Sequence, residues 1–203
     1  MRDGEGEAKV GLLLLAAGGS RRLGEPKQLL IYEGETLLRR AARTALSSLC
    51  HPAIVVLGAQ AEKTRAEIAD LPLTIVVNEE WSGGMASSIR AGMEHLTAHD
   101  DTHAVVVMLC DQPLVGAEVI NKLVSAYRAT NAPLVASKYN NTHGAPALFD
   151  WRLYPELLAL TGSQGAKNVI LAHSAHLTEV PAPAAAFDVD TLADYERLVE
   201  RPC

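Results

Sequence analysis

Five short apolar runs punctuate the chain: VGLLLLA (residues 10–16), AIVVLG (53–58), LTIVVN (73–78), AVVVMLC (104–110) and APLVAS (132–137). Each is too short for a core helix and is apolar at consecutive rather than alternate positions, the pattern of strands covered on both faces. Helical periodicity fills the intervals at 36–49, 61–69, 85–97 and 117–129. Strand, helix and strand in repetition require right-handed crossovers, so the chain is expected to form a three-layer α/β fold with a mostly parallel sheet. Beyond residue 140 the rhythm loosens. A strand is expected at 147–149, helices at 153–160 and 166–173, a Pro/Ala-rich connector at 181–186 and a closing helix from Leu192. Too little chain follows the connector to build a second core, so residues 1–203 are expected to be a single domain.

In such folds ligands bind where strands end, and the loop LAAGGSRRLGEPKQLL leaves the first strand. It is neither of two familiar glycine loops. A Walker A loop needs Lys and then Ser or Thr after its last glycine, but Glu25 and Pro26 follow Gly24. The dinucleotide fingerprint opens a helix, which Pro26 disfavours at Glu25. What remains is an extended loop whose glycines let backbone N–H groups approach a phosphate, with Arg22 and Lys27 adding positive charge; a solvated basic turn is the plainer alternative. Net charge is −6, so any anion site is local, and neither a nucleic-acid nor a membrane partner is expected. Cys50, Cys110 and Cys203 lack metal or disulfide spacing and read as buried or incidental thiols. The acidic, glycine-rich start is unlike a signal peptide, and no apolar run approaches the ~20 residues of a membrane span, so a cytoplasmic protein is expected.

The same loop resembles the signature LAAGxSxRMGxxKQLL of the MobA-like nucleotidyltransferases, with Leu23 in place of the usual Met. NEEWSGGMASSIRAG (78–92), DQP (111–113), GAPALF (144–149) and DVDTLADY (188–195) resemble further family motifs in the family's order. The second Ala and the KQLL ending are most similar to molybdenum cofactor cytidylyltransferases. The resemblance implies a Rossmann-like nucleotidyltransferase fold and transfer of CMP from CTP to a phosphorylated acceptor, molybdopterin carrying molybdenum, with release of pyrophosphate and transient contact with a molybdoenzyme.

It also implies residue roles. Ala16, Ala17, Gly18, Gly19 and Ser20 would bind the nucleotide, with Arg22 and Lys27 neutralising charge as pyrophosphate leaves. Asn78, Gly83, Gly84 and Ser88 would cup the base and ribose, although an ordinary helix cap accounts for the same serines. Asp111 follows a strand that Pro113 cannot extend, and would hold Mg²⁺ with Asp190; a turn-capping role is the alternative. Asp188 would then cap the closing helix from Thr191. His143, Gly144 and Lys167 would meet the acceptor. Relatives usually carry Asp where GSQGAK (162–167) has Ser163, which opens room for another acceptor, for an oxidoreductase using NAD(P)H and an aromatic substrate in the same pocket, or for a non-catalytic cofactor chaperone.

Overall fold

The computed structural model describes residues 7–20 and 23–201. The strands are β1 (Val10–Ala16), β2 (Ile31–Tyr32), β3 (Glu35–Thr36), β4 (Ala53–Leu57), β5 (Thr74–Val77), β6 (Ala104–Leu109), β7 (Leu134–Tyr139), β8 (Thr142–Asp150) and β9 (Thr178–Pro181). The helices are α1 (Leu37–Leu46), α2 (Ala61–Ala66), α3 (Met85–His99), α4 (Ala117–Thr130), α5 (Tyr154–Leu158), α6 (Ala166–Ala172) and α7 (Leu192–Val199). Seven strands form one sheet in the order β5-β4-β1-β6-β8-β7-β9, while β2 and β3 pair as a separate hairpin.

Alternation along β1 explains the three layers. Leu12 and Leu14 join the core built with Leu38 and Ala42 of α1 and Leu123 of α4. Leu13 and Leu15 join the opposite core with Ile89 and Met93 of α3 and Ile170 of α6. All seven residues of β1 are buried, so each side of the sheet needs a helical cover.

The parallel run is interrupted at β8, which lies antiparallel between β6 and β7. The cause is a two-residue turn: Asn140 and Asn141 have φ of 46° and 58°, which suits the tight hairpin that Asn favours. β8 therefore runs from Thr142 to Asp150, longer than the expected 147–149, and β9 adds a short edge strand parallel to β7 just before the expected connector. The connector itself holds a 3-10 turn at Pro183–Ala186.

These directions decide where the chemistry sits. The loops after β1, β4, β5 and β6 leave the carboxyl edge of the sheet. The first residues of antiparallel β8 and the segment after β9 reach the same edge. Among the described residues, no helix is long and apolar enough to cross a membrane. Cys50 and Cys110 are buried and unpaired, and Cys203 lies outside the described residues.

Candidate functional site

The loop after β1 is fastened from beneath by a residue that the sequence did not single out. Gln28, 1% exposed, donates from Nε2 to the carbonyls of Ala16 at 2.9 Å and Gly18 at 2.7 Å. The Lys27 N–H donates to Ser20 Oγ at 2.8 Å and closes the loop on itself. Gly18 and Gly19 stay exposed on its outer side. Arg22, and Arg21 beside it, lie outside the described residues.

Two carboxylates meet the end of this loop. Lys27 Nζ lies 2.5 Å from Asp111 Oδ2 and 3.0 Å from Asp190 Oδ1. Asp111 is carried by the end of β6, and its carbonyl accepts from the Val189 N–H at 2.9 Å, which brings the 188–190 segment alongside. Burial pulls the Lys27 ammonium toward neutrality, but Asp111 and Asp190 together outweigh it and hold its pKa above the ordinary value. Asp188 belongs to the same acidic group. Burial of its carboxyl first, and the Asp111 charge second, push its pKa up to about 6, although the residue as a whole is exposed and water screens part of the effect. Asp188 does not cap α7. Thr191 and Asp194 make a reciprocal capping box there, Thr191 Oγ1 accepting from the Asp194 N–H and Asp194 accepting from that of Thr191.

Asp111 Oδ1 is buried and lacks a hydrogen-bond partner. Among the described residues no group of three or more His, Cys, Asp or Glu side chains is arranged to hold a metal ion. A pair is nonetheless the donor set that suits a small hard cation bound with a nucleotide, because phosphates and water supply the remaining oxygens. Here the lysine ammonium stands as the cation between the two carboxylates, and the orphaned Oδ1 is a further free acceptor. The residues fit a divalent metal.

A cleft of about 360 Å³ opens between these groups and the segment preceding α3. Ala16, Ala17, Gly18, Gly19, Lys27, Gly84, Ser88 and Asp111 line it, together with Gln28, Trp81, Ser82, Met85 and Cys110. Asn78 and Gly83 do not. The Asn78 amide is buried behind the wall and donates to Ser87 Oγ at 2.8 Å and Ser88 Oγ at 3.0 Å, while Ser87 Oγ donates to the Glu80 and Gly84 carbonyls. The two serines thus fix the entry to α3, whose N-cap is Gly84. Gly84 has φ of 107°, and a Cβ there would stand 2.3 Å from the Gly162 carbonyl oxygen, so only glycine fits. That contact, with Met85 against Gly165, seats the GSQGAK segment on the rim of the cleft.

The acceptor candidates are dispersed. His143 Nε2 of β8 lies 2.7 Å from Oε1 of Glu179 on the edge strand β9, while Lys138 Nζ of β7 lies 2.6 Å from Oε2 of the same carboxylate. Gly144 makes room for Tyr139, whose hydroxyl stands 2.1 Å from where a Gly144 Cβ would be. Lys167 is exposed in the first turn of α6. The Gln112 side chain, which the sequence offered only as part of DQP, is buried and donates to the Ala145 and Ala185 carbonyls, tying β6 to β8 and the connector.

A glycine loop at the carboxyl edge of a mostly parallel sheet, with a lysine held between two aspartates, is the arrangement of a Rossmann-like nucleotidyltransferase fold. Residues 12–177 match the family described as MobA-like NTP transferase domain, and the chain belongs to that family. It is 34% identical over 201 residues to nicotine blue oxidoreductase of Paenarthrobacter nicotinovorans, covering 92% of this chain and 95% of that one. The structure of Rv0371c from Mycobacterium tuberculosis H37Rv superposes with a TM-score of 0.84 at 30% identity, over 97% of this chain and 100% of that one. A manganese complex of the same protein gives 0.79 at 28%, over 96% and 100%. Molybdenum cofactor cytidylyltransferase of Escherichia coli is 22% identical, over 95% of this chain and 96% of that one.

Proposed function

We propose that the chain transfers the CMP part of CTP to a phosphorylated acceptor, molybdopterin carrying molybdenum, and releases pyrophosphate, with Mg²⁺ as cofactor. The observation that carries this reading is the convergence of Asp111 and Asp190 on Lys27 at the mouth of the glycine loop. In the reaction an oxygen of the acceptor phosphate bonds to the α-phosphorus of CTP and the bond to the β-phosphate breaks. The acceptor is already anionic near neutral pH, so positioning and charge neutralisation do the catalysis, as in phosphoryl transfer generally. Mg²⁺ would be held by Asp111 and Asp190 and would offset the charge of the triphosphate. Lys27, which contacts both carboxylates, neutralises the leaving pyrophosphate. The exposed backbone of Gly18 and Gly19 binds phosphate oxygens, and Gln28 keeps that backbone in place. The family match and the likeness to molybdenum cofactor cytidylyltransferase support the nucleotide, and the two-carboxylate donor set supports the metal.

One finding favours a second reading: the relative at 34% identity is named an oxidoreductase. On that reading the cleft takes NAD(P)H, and a hydride passes to a planar aromatic substrate. A thermal-shift series with CTP, GTP, ATP, NADH and NADPH, each with Mg²⁺ and with EDTA, separates the two, because a ligand selective for the native state raises its apparent stability. The largest rise is expected for CTP with Mg²⁺. A larger, metal-independent rise with NADPH would overturn the transferase reading.

A further inference from the structure

Trp81, within the 78–92 motif, lines the cleft and is seated by two contacts with other loops. Its Cβ lies 2.5 Å from where a Gly58 Cβ would be, and the edge of its indole, Cζ3, lies 2.9 Å from where a Gly19 Cβ would be. Gly19 belongs to the loop after β1 and Gly58 to the end of β4. The absence of a side chain at Gly58 therefore admits the root of Trp81, and its absence at Gly19 admits the edge of the indole. Gly18, by contrast, has nothing within 4 Å of its Cβ position, so the loop keeps an open backbone next to the ring. Trp81 is only part-buried and lines the cleft.

The cleft lining combines charged and apolar groups. Lys27 and Asp111 supply charge, whereas Trp81, Met85, Leu15 and Leu109 supply apolar surface. A ligand that matches has a polyanionic end and a flat, weakly polar end. An indole face suits a planar heterocycle because stacking needs only a π surface and no particular hydrogen-bond pattern.

We infer that Trp81 is the stacking wall for the base of the bound nucleotide, wedged against Gly19 and Gly58 so that the base is registered directly beside the phosphate loop. This rests on the nucleotide reading of the cleft. Trp81 then separates a nucleoside triphosphate from bare polyphosphate, a discrimination that Lys27 and the loop backbone cannot make.

The test uses two probes, CTP and inorganic tripolyphosphate, each with Mg²⁺, titrated by calorimetry into the wild type, Trp81→Ala and Trp81→Phe. Trp81→Ala should weaken CTP binding roughly 5- to 100-fold while tripolyphosphate binding stays within about twofold, and Trp81→Phe should keep most of the CTP affinity. The chain has two tryptophans, and Trp151 is 58% exposed at the opposite edge of the sheet, so a Trp151→Phe background isolates the Trp81 signal. CTP should quench that fluorescence and tripolyphosphate should leave it little changed. Equal loss of both probes in Trp81→Ala, or no loss of CTP, would overturn the assignment while leaving the nucleotide reading intact. A wild type that binds neither probe would overturn the nucleotide reading, and this inference with it.

Discussion

Replacing Gln28 by Ala removes the two hydrogen bonds that its amide donates to the end of β1 and the loop after it, together with the longer 3.4 Å bond it accepts from Ser20 Oγ. The two bonds, to the carbonyls of Ala16 and Gly18, are neutral and of ordinary length, so each contributes about 1 kcal/mol net. Gly18 is exposed and its carbonyl can turn to water, but Ala16 is buried and its carbonyl is harder to rehydrate. The expected loss is therefore about 2–3 kcal/mol. For a chain of this size that lowers Tm by roughly 4–12 °C. Urea denaturation followed by far-UV circular dichroism reads the stability, and calorimetry reads CTP affinity, which should fall because the loop backbone is no longer held. Gln28→Glu should cost more at pH 7 than Gln28→Ala, because a carboxylate would face two carbonyl oxygens. Its deficit should shrink toward pH 4, where a protonated carboxyl can donate one bond. A Gln28→Ala protein within about 0.5 kcal/mol of wild type would refute the claim that this residue anchors the loop.

The remaining predictions follow from neighbouring contacts. Gly84→Ala should destabilise by about 2 kcal/mol or more, since the position combines φ of 107° with the Gly162 carbonyl at 2.3 Å, whereas Gly83→Ala, with nothing within 4 Å, should cost under about 1 kcal/mol; equal losses in thermal melts would contradict this. Asp188 has its folded pKa pushed up to about 6 from 3.8, so its charged form burdens the folded state; that burden is absent below about pH 3.8, grows through the interval and is complete above about pH 6. Asp188→Asn should therefore gain stability at pH 7.5 relative to wild type and gain little at pH 4, and a pH-independent difference in Tm would be evidence against the shift. Lys27→Met should leave Asp111 and Asp190 facing each other without a cation, lowering stability at pH 7.5 more in low salt than in high salt; a salt-independent effect would contradict the charge argument.

The sheet was legible in the sequence where burial is two-sided. β1, β4 and β6 are apolar at every position, and no other element type suits a short run of that kind. The antiparallel β8 was harder to read because Thr142, His143 and Gly144 are not a strand pattern in isolation, and the Asn140-Asn141 turn that reverses the chain passed as loosened rhythm. β9, TEVP, is an edge strand whose sequence is half polar. In the site, Lys27, Asp111 and Asp190 are legible as charged residues where strands end or a helix begins, and the structure brings all three together. Asn78 was legible as a site position, but its hydrogen bonds go to Ser87 and Ser88 behind the wall. Gln28 and Trp81 stood inside quoted motifs, but the Gln28 bonds to Ala16 and Gly18 and the Trp81 contacts with Gly19 and Gly58 were not legible, because only the fold brings those groups together.

The central claim is that Asp111 holds a metal that the nucleotide needs. Calorimetric titration of CTP into wild type and Asp111→Asn, each with Mg²⁺ and with EDTA, tests it most directly. Asn keeps the size and turn-forming capacity of Asp, so the variant should fold nearly as well as wild type. The account predicts that Mg²⁺ strengthens CTP binding to wild type by a factor of about ten or more and has little effect on Asp111→Asn, with the two proteins alike in EDTA. An Asp111→Asn protein that keeps the full Mg²⁺ dependence of the wild type, or a wild type that binds CTP equally with Mg²⁺ and EDTA, would contradict it.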